Sequence, residues 1–171
     1  MIASIGWFGW PQVIVLAVAI QRIAELQYAN RNAARLLAEG GVEHGAAHYP
    51  LFFLIQGAWL LALLVLTPAS APISWPLLTL FILLQAGRVW VIAALGRYWT
   101  TRIITVADAP LVTSGPYRWL RHPNYLVVAA EIVVLPLVFG QVWIAVVAGV
   151  ATAPLLRHRI AVEDRALAER R

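Results

Sequence analysis

The sequence predicts an all-α integral membrane protein with about five transmembrane helices, and three observations predict it. Of its 171 residues 61% are hydrophobic and only 12% charged, where soluble domains are roughly a quarter charged. Its apolar residues fall into long runs, and the length holds about five spans of ~20 residues with little mass left over. Charged residues outside those runs lie in three segments only: 29–49, 96–122 and 157–171. The mean hydropathy of +0.77 agrees. One domain, 1–171, is expected, with 1–95 forming three spans and an interfacial loop.

Residues 1–10 are apolar and uncharged, and Trp7 and Trp10 suit the membrane interface. The first span is expected from about Pro11 to Tyr28, with Arg22 and Glu25 near its inner end. Three apart, those two share a helix face and can neutralise each other. Residues 29–49 are polar. Arg31–Leu37 reads as a short interfacial helix ended by Gly40-Gly41. His44 and His48 have the spacing of a metal pair on a helix, but no third ligand is evident and Gly45 and Pro50 oppose a helix there. No metal is expected.

The second span is expected at Leu51–Leu66, and Thr67–Pro76 is an uncharged loop with three prolines. The third, Leu77–Leu95, carries Gln85 and Arg88, and Arg88 needs a partner inside the bundle, Glu25 or Glu131. The fourth and fifth spans, Pro123–Phe139 and Val142–Leu156, are short, and Gly140-Gln141 allows only a tight turn between them. They form a helical hairpin, with a charged, helical tail from Arg157. No strand pattern competes.

Topology follows from charge. The N-terminal segment, the 67–76 loop and the 140–141 turn carry no charged residue. Five spans with an external N-terminus put the three charged segments together on the cytoplasmic side, as the positive-inside rule requires. The net charge of +5, all of its thirteen basic residues arginine, is therefore read as topology and contact with acidic lipid, with no nucleic acid implied. Absence of cysteine excludes disulfides and thiolate chemistry.

One stretch is not plain membrane helix: Thr113-Ser-Gly115-Pro116-Tyr117-Arg-Trp-Leu-Arg121-His122-Pro123-Asn124-Tyr125. Gly115-Pro116 signals a turn. Pro123 holds His122 extended and suits the first position of a helix. A helix starting there turns free N–H groups and a positive dipole end towards Arg121 and His122, which suits a carboxylate or phosphate. Further on, Arg159 and Glu163 are four apart on one helical face, the spacing of a simple ion pair.

Together these elements resemble a known family. Gly115-Pro116-Tyr117, Arg121-His122-Pro123-x-Tyr125, a hairpin of short spans, then Arg159-x-x-x-Glu163-Asp164 is similar to the isoprenylcysteine carboxyl methyltransferase family. The likeness is specific from about Gly96 to Leu167. Its RHPxY element is shared with membrane phospholipid methyltransferases and, more loosely, with some sterol reductases. Arg22-x-x-Glu25-Leu26 and Gly45-x-x-His48-Tyr49-Pro50 resemble a bacterial branch linked with methylation of long-chain polyketide pyrones or resorcinols.

The resemblance implies an S-adenosylmethionine (SAM) enzyme, releasing S-adenosylhomocysteine (SAH), whose cytoplasmic cap binds the cofactor and opens to the bilayer. It makes 96–171 the catalytic part. It places Leu111, Val112, Tyr117, His122, Pro123, Asn124, Tyr125 and Glu163 at the cofactor, and Arg159 at the substrate end, with Arg159 and Glu163 the catalytic pair. Asn124 stands where members vary, and Asp164 replaces a second glutamate. The implied methyl acceptor is a lipophilic carboxylate, phenol or hydroxypyrone, prenylated or long-chain, met among membrane lipids. The implied setting is a bacterial inner membrane. Phospholipid N-methylation is the alternative, opposed by Arg159, which repels a protonated amine. A non-enzymatic transport or assembly protein is a second, opposed by the lack of inverted repeats and of mid-depth polar residues. A reductase using NADPH would want a dinucleotide glycine fingerprint, which is absent.

Overall fold

The structure is a computed structural model that describes residues 6–46, 49–107 and 109–168. In chain order its elements are α1 (Trp10–Ala38), β1 (Val42–His44), α2 (Tyr49–Leu66), α3 (Trp75–Leu95), β2 (Ile103–Thr105), α4 (Pro123–Val138) and α5 (Val142–Ala166). Among the described residues three helices are long and apolar enough to cross a membrane: Tyr49–Leu66, Trp75–Tyr98 and Val142–Ala166. Pro123–Val138 is apolar but shorter. Around a core of Val15, Trp59, Leu63, Phe81, Ile132, Leu135 and Phe139, large apolar side chains such as Leu54, Ile82 and Trp143 point outward. That is the pattern of helices solvated by lipid.

The uncharged end is sealed by short backbone contacts. Gln12 accepts from the Gly9 N–H at 3.0 Å and donates to the Thr67 carbonyl at 2.7 Å. The Ser74 N–H donates to the Val138 carbonyl at 2.9 Å. Gly9 is glycine for want of space: a Cβ there would lie 2.2 Å from the Ala69 carbonyl oxygen.

Three expectations change. The first concerns Arg31–Leu37, which is no separate interfacial helix. It is the last part of α1, because no proline or glycine interrupts Tyr28–Ala38 and Ala29, Asn32, Ala33 and Leu36 bury one face of it. The expected stop holds: Gly40 takes a φ of 84°, and the Gly41 N–H returns to the Leu36 carbonyl at 2.9 Å. The tail from Arg157 is likewise continuous with the fifth span, so α5 runs 25 residues through Pro154.

The third change is a strand pair that was not expected. β1 and β2 pair antiparallel, Val42 opposite Thr105 and His44 opposite Ile103. Three residues are too few to show a period of two, and the partners lie far apart in the chain, so no local pattern announces them. The ribbon ties the 29–49 loop to the 96–122 segment at the charged end. Asn32 adds to that tie by donating to the carbonyls of Gly96 at 3.1 Å and Trp99 at 2.9 Å.

Arg88 has both expected partners. It donates from Nε to Glu25 at 2.8 Å and from a terminal nitrogen to Glu131 at 3.1 Å. Arg22 meets the same two acids, at 2.9 Å and 3.0 Å. Gln85 donates to Glu131 at 2.7 Å, and Gln21 to Glu25 at 3.0 Å. Two arginines and two glutamates thus cancel inside the bundle and fasten α1, α3 and α4 to one another.

Candidate functional site

The site forms where α4 begins and α5 ends. Proline starts α4 as its sequence requires: Pro123 is its first residue and His122 the flanking one, at φ −130°. The preceding turn, Gly115–Arg118, depends on its glycine, which has a φ of +59° and would set a Cβ 2.9 Å from that of Ala94. That turn packs Tyr117 against the buried cluster of Ala29, Val91 and Trp99.

The last turns of α5 reach this point. Tyr125 donates its hydroxyl hydrogen to Glu163 at 2.7 Å. His122 lies with Nε2 3.2 Å from Asp164 and Nδ1 3.6 Å from Glu163. Its close contact with Glu163 and the charges of Glu163 and Asp164 hold the imidazole above its ordinary value of 6.5, against the opposing effect of burial. Burial, with Glu163 adding to it, pushes the Tyr117 hydroxyl well above the usual phenol range. Tyr117 is therefore a neutral phenol at any working pH.

Arg159 and Glu163 do not form the ion pair that their spacing allows; no ion pair among the described residues joins them. Arg159 instead donates to the Thr101 carbonyl at 2.7 Å and lies 5.2 Å from the ring centre of Phe52. Tertiary contacts override the local i,i+4 preference because that preference is worth only a few tenths of a kcal/mol.

Leu111, Val112, Tyr117, His122, Asn124, Tyr125, Arg159 and Glu163 line one cavity of about 400 Å³, inside the ~300–1,000 Å³ range of small-molecule sites. Pro123 does not line it; it is buried and sets the start of α4. Several lining atoms have polar groups with nothing to bond: Asn124 Oδ1, Trp99 Nε1 and Arg159 Nε are buried without a hydrogen-bond partner. Native interiors seldom tolerate such atoms unless something else satisfies them.

The cavity also takes residues the motif did not indicate. Trp99, Thr101 and Arg102 come from the polar segment before β2, and its break in the apolar run was their signal. Phe52 of α2 and Arg88 of α3 line the wall as well. Nothing local marked Phe52, one more phenylalanine in a span.

His48 lies outside the described residues, and the His44 Nε2 is 2.8 Å from the Thr105 hydroxyl. Among the described residues no group of three His, Asp or Glu side chains is placed to hold a metal.

No solved structure matches this chain. The Uncharacterized protein YpbQ of Bacillus subtilis (strain 168) is 35% identical over 161 residues, covering 92% of this chain and 96% of that one. The model of the Isoprenylcysteine carboxyl methyltransferase (ICMT) family matches residues 77–169, which hold α4, α5 and most of the cavity wall. By both likenesses the chain belongs to the ICMT family, one of membrane-bound methyltransferases.

Proposed function

We propose that the chain is a SAM-dependent O-methyltransferase acting on a lipophilic carboxylate or phenol at the membrane surface. The observation that carries this is the Tyr125–Glu163 hydrogen bond of 2.7 Å, which brings the start of α4 and the charged end of α5 into the wall of one cavity. In the same reading the protein has five spans, the other two being α1, which carries Arg22 and Glu25, and the shorter α4, with an external N-terminus and a cytoplasmic cap.

The residues present fit the cofactor. Glu163 offers a carboxylate to an ammonium group. The first free N–H groups of α4, together with Arg121 on the cavity rim, offer donors to a carboxylate. His122 is less suited to that task than its position in the motif implies, because two acids already share it. The rings of Tyr117 and Tyr125 supply faces that attract a sulfonium. Asn124 Oδ1 is an unused acceptor for a hydroxyl or amino group, and Leu111 and Val112 give an apolar bed for a base.

The chemistry supplied by the bound cofactor is a methyl group on positively charged sulfur, open to in-line displacement. What this chain adds is position and charge. Arg159 holds the acceptor oxygen, with its buried Nε–H still unused. A carboxylate acceptor needs no base. A phenol must give up its proton, and Glu163 or His122 is in place to take it; Tyr117 is not, being held protonated.

Calorimetric titration of the purified protein with SAH tests the reading. Saturable binding is expected, and it is expected to vanish in Glu163→Ala. A folded protein that gives no binding heat overturns it and returns the transport or assembly reading. Transfer to a lipid amine in preference to an acid would favour the phospholipid alternative.

A further inference from the structure

Helix α2 lies outside the residues matched by the family model, yet it reaches the one arginine of α5 that is buried in the cavity wall. The Arg159 side chain is held on two sides. A terminal nitrogen donates to the Thr101 carbonyl at 2.7 Å, and the guanidinium lies 5.2 Å from the centre of the Phe52 ring. Thr101 is itself held, with its hydroxyl 2.7 Å from that of Tyr49. Tyr49 is in turn covered by Arg102, whose guanidinium carbon is 5.2 Å from its ring centre. Arg102 donates to Glu43 on β1 at 3.2 Å. Phe52, Thr101 and Arg159 all line the cavity.

From this clamp we infer that Tyr49 and Phe52 are positioning residues that set the acceptor specificity of the site, selecting a lipophile with an anionic oxygen head. The inference rests on the proposed function for the role of Arg159. A guanidinium is a flexible cation at the end of a long stem, and left loose it pairs with whatever acid is near. Glu163 is one turn away on the same helix. Phe52 and the Thr101 carbonyl hold Arg159 away from that partner, so its charge is kept for a ligand. Its Nε–H is buried with no acceptor, a donor that costs stability unless a bound oxygen satisfies it. A neutral alcohol gives that site a weaker acceptor than an anion does, and an ammonium is repelled.

Retention of radiolabelled laurate and of 1-dodecanol tests this, because the two share a chain and differ in the head. Each is measured on the protein in lipid nanodiscs, with and without saturating SAH, and corrected for empty nanodiscs. The unvaried protein is expected to hold laurate over dodecanol. Phe52→Leu, which keeps bulk and loses the ring face, is expected to lower laurate retention about fivefold with dodecanol unchanged. Tyr49→Phe is expected to lower it less, and Phe52→Tyr to restore it. SAH affinity is expected to stay as it was in all three. Equal retention of laurate and dodecanol by the unvaried protein overturns the inference, as does a laurate preference that survives both Phe52→Leu and Tyr49→Phe. A Phe52→Leu protein that loses SAH and laurate in step shows a merely structural role and also overturns it. SAH failing to bind the unvaried protein sinks the proposed function instead, while the laurate preference without SAH still decides this question.

Discussion

Helix α4 carries two charged clusters of opposite character, two turns apart. At Glu131 two acids, two arginines and two glutamines meet, and none of their buried side-chain atoms lacks a hydrogen bond. At Asn124 and Tyr125 the cluster of His122, Glu163, Asp164 and Arg159 leaves Asn124 Oδ1 and Arg159 Nε without one. The first cluster is closed: its charges sum to zero and it has nothing left to offer. Both reach the cavity, the first through Arg88, but only the second keeps a donor and an acceptor in reserve there. Charge within a membrane bundle is therefore not by itself a mark of a site. Unused bonding capacity beside a cavity is the better mark, since burying it without a partner costs free energy.

The comparison breaks most readily at Glu131. Glu131→Ala leaves Arg22 and Arg88 sharing one acid, and removing one partner of a buried pair costs about 3–5 kcal/mol. Thermal unfolding in detergent should show a large drop in midpoint, with SAH binding lost only through unfolding. Changing Arg88 and Glu131 to methionine together should recover most of it, because Arg22 and Glu25 remain paired at 2.9 Å. A single variant as stable as the parent would mean that the cluster holds nothing together.

At the open cluster the effect should fall on the ligand. Glu163→Gln keeps the shape and removes the charge. Loss of a charged hydrogen bond of about 1.5–3 kcal/mol predicts SAH binding weakened roughly 10–100-fold, with an unfolding midpoint close to the parent's. A large midpoint drop with intact affinity would make Glu163 structural, and the contrast between the clusters would go.

The smallest effect should come from pH. The folded-state value of His122 is raised, so its imidazolium adds stability in full below 6.5. That contribution fades as the pH climbs through the raised value. The tie between α4 and α5 should therefore slacken on the alkaline side, and the hydrogen-exchange protection of the last turns of α5, taken relative to the intrinsic exchange rate at each pH, should fall there. In His122→Gln that fall in protection should disappear. A fall in protection on the acid side of 6.5 would contradict the assigned direction.

Much of the fold was legible because its causes are local. Pro123 opens α4, Gly40-Gly41 closes α1 and Gly140 turns α4 into α5, each by constraints on one or two residues. Arg88 demanded an acid in the bundle, and the chain offers few. The motif pointed at the cavity because its glycine and prolines fix a turn and a helix start whose free N–H groups face Arg121 and His122. Other features had no local cause. The β1–β2 ribbon joins two three-residue pieces from distant parts of the chain. Arg159 ignores its neighbour Glu163 for a carbonyl and a ring on other elements.

Composition, hydropathy and the places where charge is missing determined by themselves that this chain is a bundle of apolar helices with one polar end, since lipid tolerates only helices and closed barrels and the long apolar runs lack the alternation of barrel strands. Proline and glycine determined some helix ends, at Pro123, Gly40-Gly41 and Gly140, since they act on their own dihedrals, but not that α1 and α5 run on past Tyr28 and Leu156. Only the tertiary structure decided which charges cancel and which stay available. That outcome depends on side chains from α1, α2, α3 and the 96–105 segment arriving within ~3 Å of α4 and α5, and no stretch of sequence holds both members of such a pair.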